Sequence, residues 1–121
     1  MDKRVYEIAK DTFEKNISKK EGINRLDNNL NMNSSSSSMI INNIFPKLMN
    51  GEEFKRTLKN ERFNNFLQYI HIDYGDFQLE KSLYALKQHI DYIKKNGDPK
   101  IGLRIIYQNY KLKHGIFNLT I

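Results

Sequence analysis

The rhythm of apolar residues constrains this chain most. Leu79, Leu83, Leu86, Ile90 and Ile93 recur at steps of four, three, four and three. At 3.6 residues per turn that spacing puts all five on one stripe of a helix. Glu80, Lys81, Lys87, Gln88, Asp91 and Lys95 fill the wet face between them. Tyr6, Ala9, Phe13 and Ile17 keep the same rhythm, and Ile23, Leu26 and Leu30 resume it after a break. Ser18, with Glu21 three residues on, supplies the cap that starts this second short helix. Phe63, Phe66, Leu67 and Ile70 form a further face that Asp73-Tyr74-Gly75 should end with a left-handed glycine cap. Ile101, Ile105, Ile106 and Tyr110 mark the last helix.

Between these stripes the breaks are readable. The serine run 34–38, preceded by Asn33, is expected to cap and open a helix through Met39, Ile40, Ile41, Ile44, Phe45, Leu48 and Met49. Pro46 lies inside it and predicts a kink or an early end. Asn50-Gly51 closes the segment, and Glu52 to Lys59 reads as a connector anchored by Phe54 and Leu58. Asn96-Gly97-Asp98-Pro99 ends the long helix, and the β-prone tail from Ile116 to Ile121 is expected as an edge strand or an extended segment. The expectation is an all-α fold, a single compact bundle of about five or six short helices forming one domain over 1–121.

Several kinds of chemistry find no support. His71, His89 and His114 are widely spaced and there is no cysteine, so neither a metal site nor a thiol nucleophile is expected. The six glycines are scattered, which removes phosphate-cradling loops. The serines lack the glycines of a nucleophile elbow. Glu52-Glu53, beside Lys55 and Arg56, reads as a solvated charged surface. A protein that is not an enzyme and needs no cofactor is the expectation. Met1-Asp2-Lys3-Arg4 opens no signal peptide, and no apolar run is long enough to span a bilayer, so a cytoplasmic protein is expected.

Charge is more informative. Twenty Lys and Arg against fourteen Asp and Glu give a net charge of +6, which favours an anionic partner. Lys55, Arg56 and Lys59 make the connector basic, and after Asp98 there is no acidic residue while Lys100, Arg104, Lys111 and Lys113 remain. Tyr107, Tyr110, His114 and Phe117 lie among them. Such cations release counterions from phosphates, and tyrosines stack on bases or anchor protein interfaces. The competing reading makes Tyr107 and Tyr110 half-buried core residues.

The block from Asn33 to Ser36 before an apolar helix, Gly51, Phe54, Lys55-Arg56-Thr57-Leu58, Asp73-Tyr74-Gly75, Leu83 and His89-Ile90-Asp91-Tyr92 occur in that order. In this the chain resembles the N-terminal head domain of McrA-like, HNH-type restriction endonucleases over most of residues 3–95. The resemblance implies a helical head of a modification-dependent nuclease. The chain departs from that family in lacking a histidine-asparagine-histidine metal finger, so cleavage by that route is not expected. Two functions fit: a non-catalytic module engaging nucleic acid, or a nuclease–nucleic acid complex, through a basic face; and a mobile-element-encoded inhibitor, of anti-restriction or anti-CRISPR type, binding a host nuclease. A symmetric homodimer stays open, because the sequence does not show which apolar stripe is left exposed.

Overall fold

The computed structural model of the chain describes residues 1–113. The tail 116–121, with His114 and Phe117, lies outside the described residues. Six helices make an all-α bundle, with no strand among the described residues. Helix α1 is Asp2–Phe13, α2 is Lys19–Asn29, α3 runs over 34–50, α4 is Asn60–Tyr74, α5 is Asp76–Lys95 and α6 is Ile101–Lys113.

Local chemistry places the boundaries. The Ser18 hydroxyl accepts from the Glu21 N–H at 3.0 Å and opens α2 as the spacing predicts. Asn33, not a serine, caps α3, its side-chain oxygen taking the Ser36 N–H at 2.8 Å. The serines form the first turns instead, where Ser34 and Ser37 donate to Asp27 at 2.8 and 2.5 Å and tie α3 to α2.

Pro46 does not end α3, which runs on to Asn50. The helix widens over Ile40–Ile44 into a π-turn, in which the Phe45 N–H reaches the Ile40 carbonyl five residues back. Pro46 then falls in the first turn after the bulge, where a missing N–H costs little. Gly51 closes α3 in the left-handed conformation, φ +72°. Gly75 does end α4, but at φ +91° and ψ −172°, an extended mirror conformation open to glycine rather than the left-handed cap, and α5 begins on the next residue.

The core has two aromatic centres. Tyr6 and Phe66 each meet Phe45 edge to face, and lie tilted to one another, where α1, α3 and α4 cross. Phe54 and Phe63 join His89 beneath the connector. Helix α6 packs on α4 and α5. Its buried residue is Leu103, with Ile106, Tyr107 and Tyr110 half-buried beside it, whereas Ile101 and Ile105, expected on the inner face, are exposed. The stripe that wins is the one at positions 103, 106, 107 and 110, which holds the large aromatic rings. Among the described residues no helix is long and apolar enough to cross a membrane.

Candidate nucleic-acid interface

Residues 52–59 contain no helix, yet their course is fixed. Phe54 is wholly buried and Leu58 nearly so. Sinking these two anchors leaves Lys55, Arg56 and Lys59 turned to solvent. The last third of α5 holds the connector from beneath. Gln88 donates to the Gly51 carbonyl at 3.0 Å, and the His89 ring stacks on Phe54 with centroids 4.2 Å apart. His89 Nδ1 lies 2.6 Å from the Phe54 carbonyl oxygen. A carbonyl only accepts, so Nδ1 carries the proton, and Nε2 remains buried without a hydrogen-bond partner. Burial holds the His89 pKa below its ordinary value, with nearby Lys100 acting in the same direction and the Phe54 carbonyl and Glu53 opposing.

Lys55 Nζ stands 5.5 Å from the centre of the Tyr92 ring. That contact puts the connector's cations at the end of α5 where Lys94 and Lys95 form the last turn. The chain then turns through Gly97, φ +98°, to Lys100 and α6. Lys100 itself has φ +41°, a left-handed conformation that costs a non-glycine residue about 1 kcal/mol. Asp98 holds it there, accepting the Lys100 backbone N–H at 3.1 Å and sitting 3.8 Å from its ammonium. Gly102 lies against the Asn60 side chain, so α4 and α6 start side by side.

Of the residues singled out from the sequence, Lys55, Arg56, Lys59, Lys100 and Arg104 therefore gather at one end of the bundle, although Lys59 also borders a groove with Lys3 and Arg62. Lys111 and Lys113 do not join them, since the rise of the helix separates Lys111 from Lys100 by roughly 16 Å. Tyr107 and Tyr110 are turned inward. The Tyr110 hydroxyl donates to the Asn64 carbonyl at 3.0 Å, and burial raises the pKa of both phenols. They are packing residues of α6.

Sequence reasoning missed Tyr92 and Lys94, and it read Lys95 only as wet surface. The available signal was a lysine pair directly before Asn96-Gly97, where a helix must end and its last side chains project from the tip. Acids at this end include Glu52 and Glu53, Asp98, already engaged by Lys100, and Asp2 and Glu61 beside Lys59, Asp2 being paired with Arg62. By contrast the groove of about 630 Å³ between α1 and α4 mixes Lys3, Arg4 and Lys10 with Glu7, Asp11 and Asp73. Lys10 is paired with Asp73 there at 3.1 Å, leaving little net charge for a ligand.

His89 is sealed in the core and His71 Nε2 is 2.5 Å from Asp76. Among the described residues no three His, Cys, Asp or Glu side chains converge as metal ligands would. No protein-family model, no curated protein and no solved structure matches this chain.

Proposed function

We propose that the protein is a non-catalytic binding module whose basic end engages nucleic acid, free or already held by a nuclease. The observation that carries this reading is the contact of Lys55 with the Tyr92 ring, which brings the Lys55-Arg56 segment to the end of α5 that also carries Lys94 and Lys95, so that cations distant in sequence share one end of the bundle as a basic surface would require. Such a surface follows a phosphate backbone, and Tyr92, half-exposed at its centre, offers a ring edge for a base. The resemblance to McrA-like head domains supplies the setting, a restriction or defence nuclease acting on DNA in the cytoplasm.

A second reading, a nuclease-binding inhibitor, draws on a different observation, the outward aliphatic residues of α6. Gel shifts with labelled single- and double-stranded DNA and RNA at two salt concentrations, with and without a candidate nuclease, separate the two. Binding to free nucleic acid that collapses at high salt is the expected result. No shift at low salt, with loss of nuclease activity, would give the protein to the inhibitor reading.

A further inference from the structure

Helix α6 is apolar on two opposite sides. Its inner stripe closes the bundle through Leu103. Outside, Ile101, Ile105 and Leu112 are 65%, 50% and 64% exposed. At 3.6 residues per turn these three lie within about 40° of one another and roughly opposite Tyr110. Gln108 is the polar residue on this side, where a helix that served only to cover the core would carry polar residues throughout. One flank of this outer stripe is cationic: Arg104 and Lys111 lie on it, with Lys100 just before the helix. The Arg104 guanidinium is 3.4 Å from the Pro99 carbonyl and forms no ion pair among the described residues. The opposite flank holds Gly102, Asn109 and, at its far end, Lys113, and residues 99–121 contain no acid.

We propose that this stripe docks an acidic amphipathic helix of another protein, with apolar side chains on Ile101, Ile105 and Leu112 and carboxylates toward Arg104 and Lys111. An apolar seam flanked by charge is how a helix pair selects partner and register. Charge complementarity decides the occupant. Pairing α6 with α6 of a second copy sets Arg104 and Lys111 against like charges with no carboxylate on either helix, which opposes association. The stripe offers bases neither an aromatic ring to stack on nor a hydrogen bond, the two usual anchors of a single strand. This docking face goes beyond the nucleic-acid reading and does not depend on it.

The test uses the full chain and a synthetic helical peptide carrying leucines at i, i+4, i+7 and i+11 and glutamates along one flank, followed by amide chemical shifts. Shifts centred on α6 are expected. Ile105→Asp and, separately, Ile101→Glu should weaken binding about tenfold or more, and both sites are exposed, so the fold tolerates them. The same peptide with lysines for glutamates should not bind, and Ile105→Asp should leave nucleic-acid binding unchanged. Absence of peptide binding, equal binding of the lysine peptide, or indifference to both substitutions overturns the proposal. So does a dimer, seen by sedimentation, that Ile105→Asp dissociates, because that assigns the stripe to a second copy. Loss of DNA binding in Lys55→Ala/Arg56→Ala with peptide binding intact separates the two surfaces.

Discussion

His89 stacks on the ring of Phe54 and donates from Nδ1 to the carbonyl of that same residue, 2.6 Å away and 35 positions earlier in the chain. One imidazole thus fixes both the side chain and the backbone of the connector that bears Lys55 and Arg56. Replacing His89 with Phe keeps a flat apolar ring but leaves the buried Phe54 carbonyl unpaired, at a cost of about 1–3 kcal/mol. Chemical denaturation of the two proteins checks the loss, and a shift of less than a few tenths of a kcal/mol would show the bond to be dispensable.

The same histidine sets a pH dependence. In the unfolded chain the imidazole takes its proton near its ordinary value of 6.5, whereas in the fold burial delays protonation to lower pH. Between those two values the unfolded chain binds more protons, so stability is full above pH 6.5 and falls as pH drops through that window. Burial pushes the Asp2 and Asp73 carboxyls up, but their hydrogen bonds and ion pairs outweigh it and hold both below 3.8, so their stabilising charge is lost only at more acid pH. Urea midpoints at pH 7.5 and 5.5 should differ in the wild type, with a smaller difference in His89→Phe.

Gly22 lets α2 approach α1. A Cβ there would collide with the Thr12 hydroxyl, which is itself held by the Ile8 carbonyl at 2.8 Å. Alanine adds up to about 1 kcal/mol of helix propensity, but overpacking against a β-branched, hydrogen-bonded neighbour costs about 1–3 kcal/mol. Gly22→Ala should therefore lower the thermal midpoint, and a rise would show that the two helices part without cost.

Lys100 separates fold from function. Glycine relieves its left-handed backbone, so Lys100→Gly should leave stability unchanged or raise it by up to about 1 kcal/mol. Nucleic-acid affinity should fall in the same protein. A variant that is destabilised, or that binds as the wild type does, would remove Lys100 from the interface. Tyr110→Phe should behave oppositely, losing about 0.5–1.5 kcal/mol with the bond to Asn64 and leaving binding intact.

Helix positions were legible because apolar spacing and capping chemistry are local, as at Ser18–Glu21 and in the stripe from Leu79 to Ile93. The π-turn before Pro46 was not, since the same residues read as an ordinary helix until a proline must be accommodated. In α6 the apolar spacing placed Ile106 and Tyr110 on the inner face, where they lie, but put Ile101 and Ile105 there as well, which are exposed. Aliphatic and aromatic residues alternate around that helix, and which side faces α4 and α5 is decided by packing between elements. The basic connector was visible in sequence, but its approach to the end of α5 depends on contacts made across the fold, Phe54 with His89 and Lys55 with Tyr92.

Whether Lys55, Arg56, Lys94 and Lys95 act together as one nucleic-acid surface is read most plainly from the salt dependence of DNA binding, followed by fluorescence anisotropy. The wild type should show an affinity that falls linearly on a log–log plot, and replacing all four by alanine should reduce the slope by about 0.7–0.9 for each phosphate no longer neutralised. An unchanged slope in the fourfold variant, or no binding by the wild type at low salt, would contradict a shared surface.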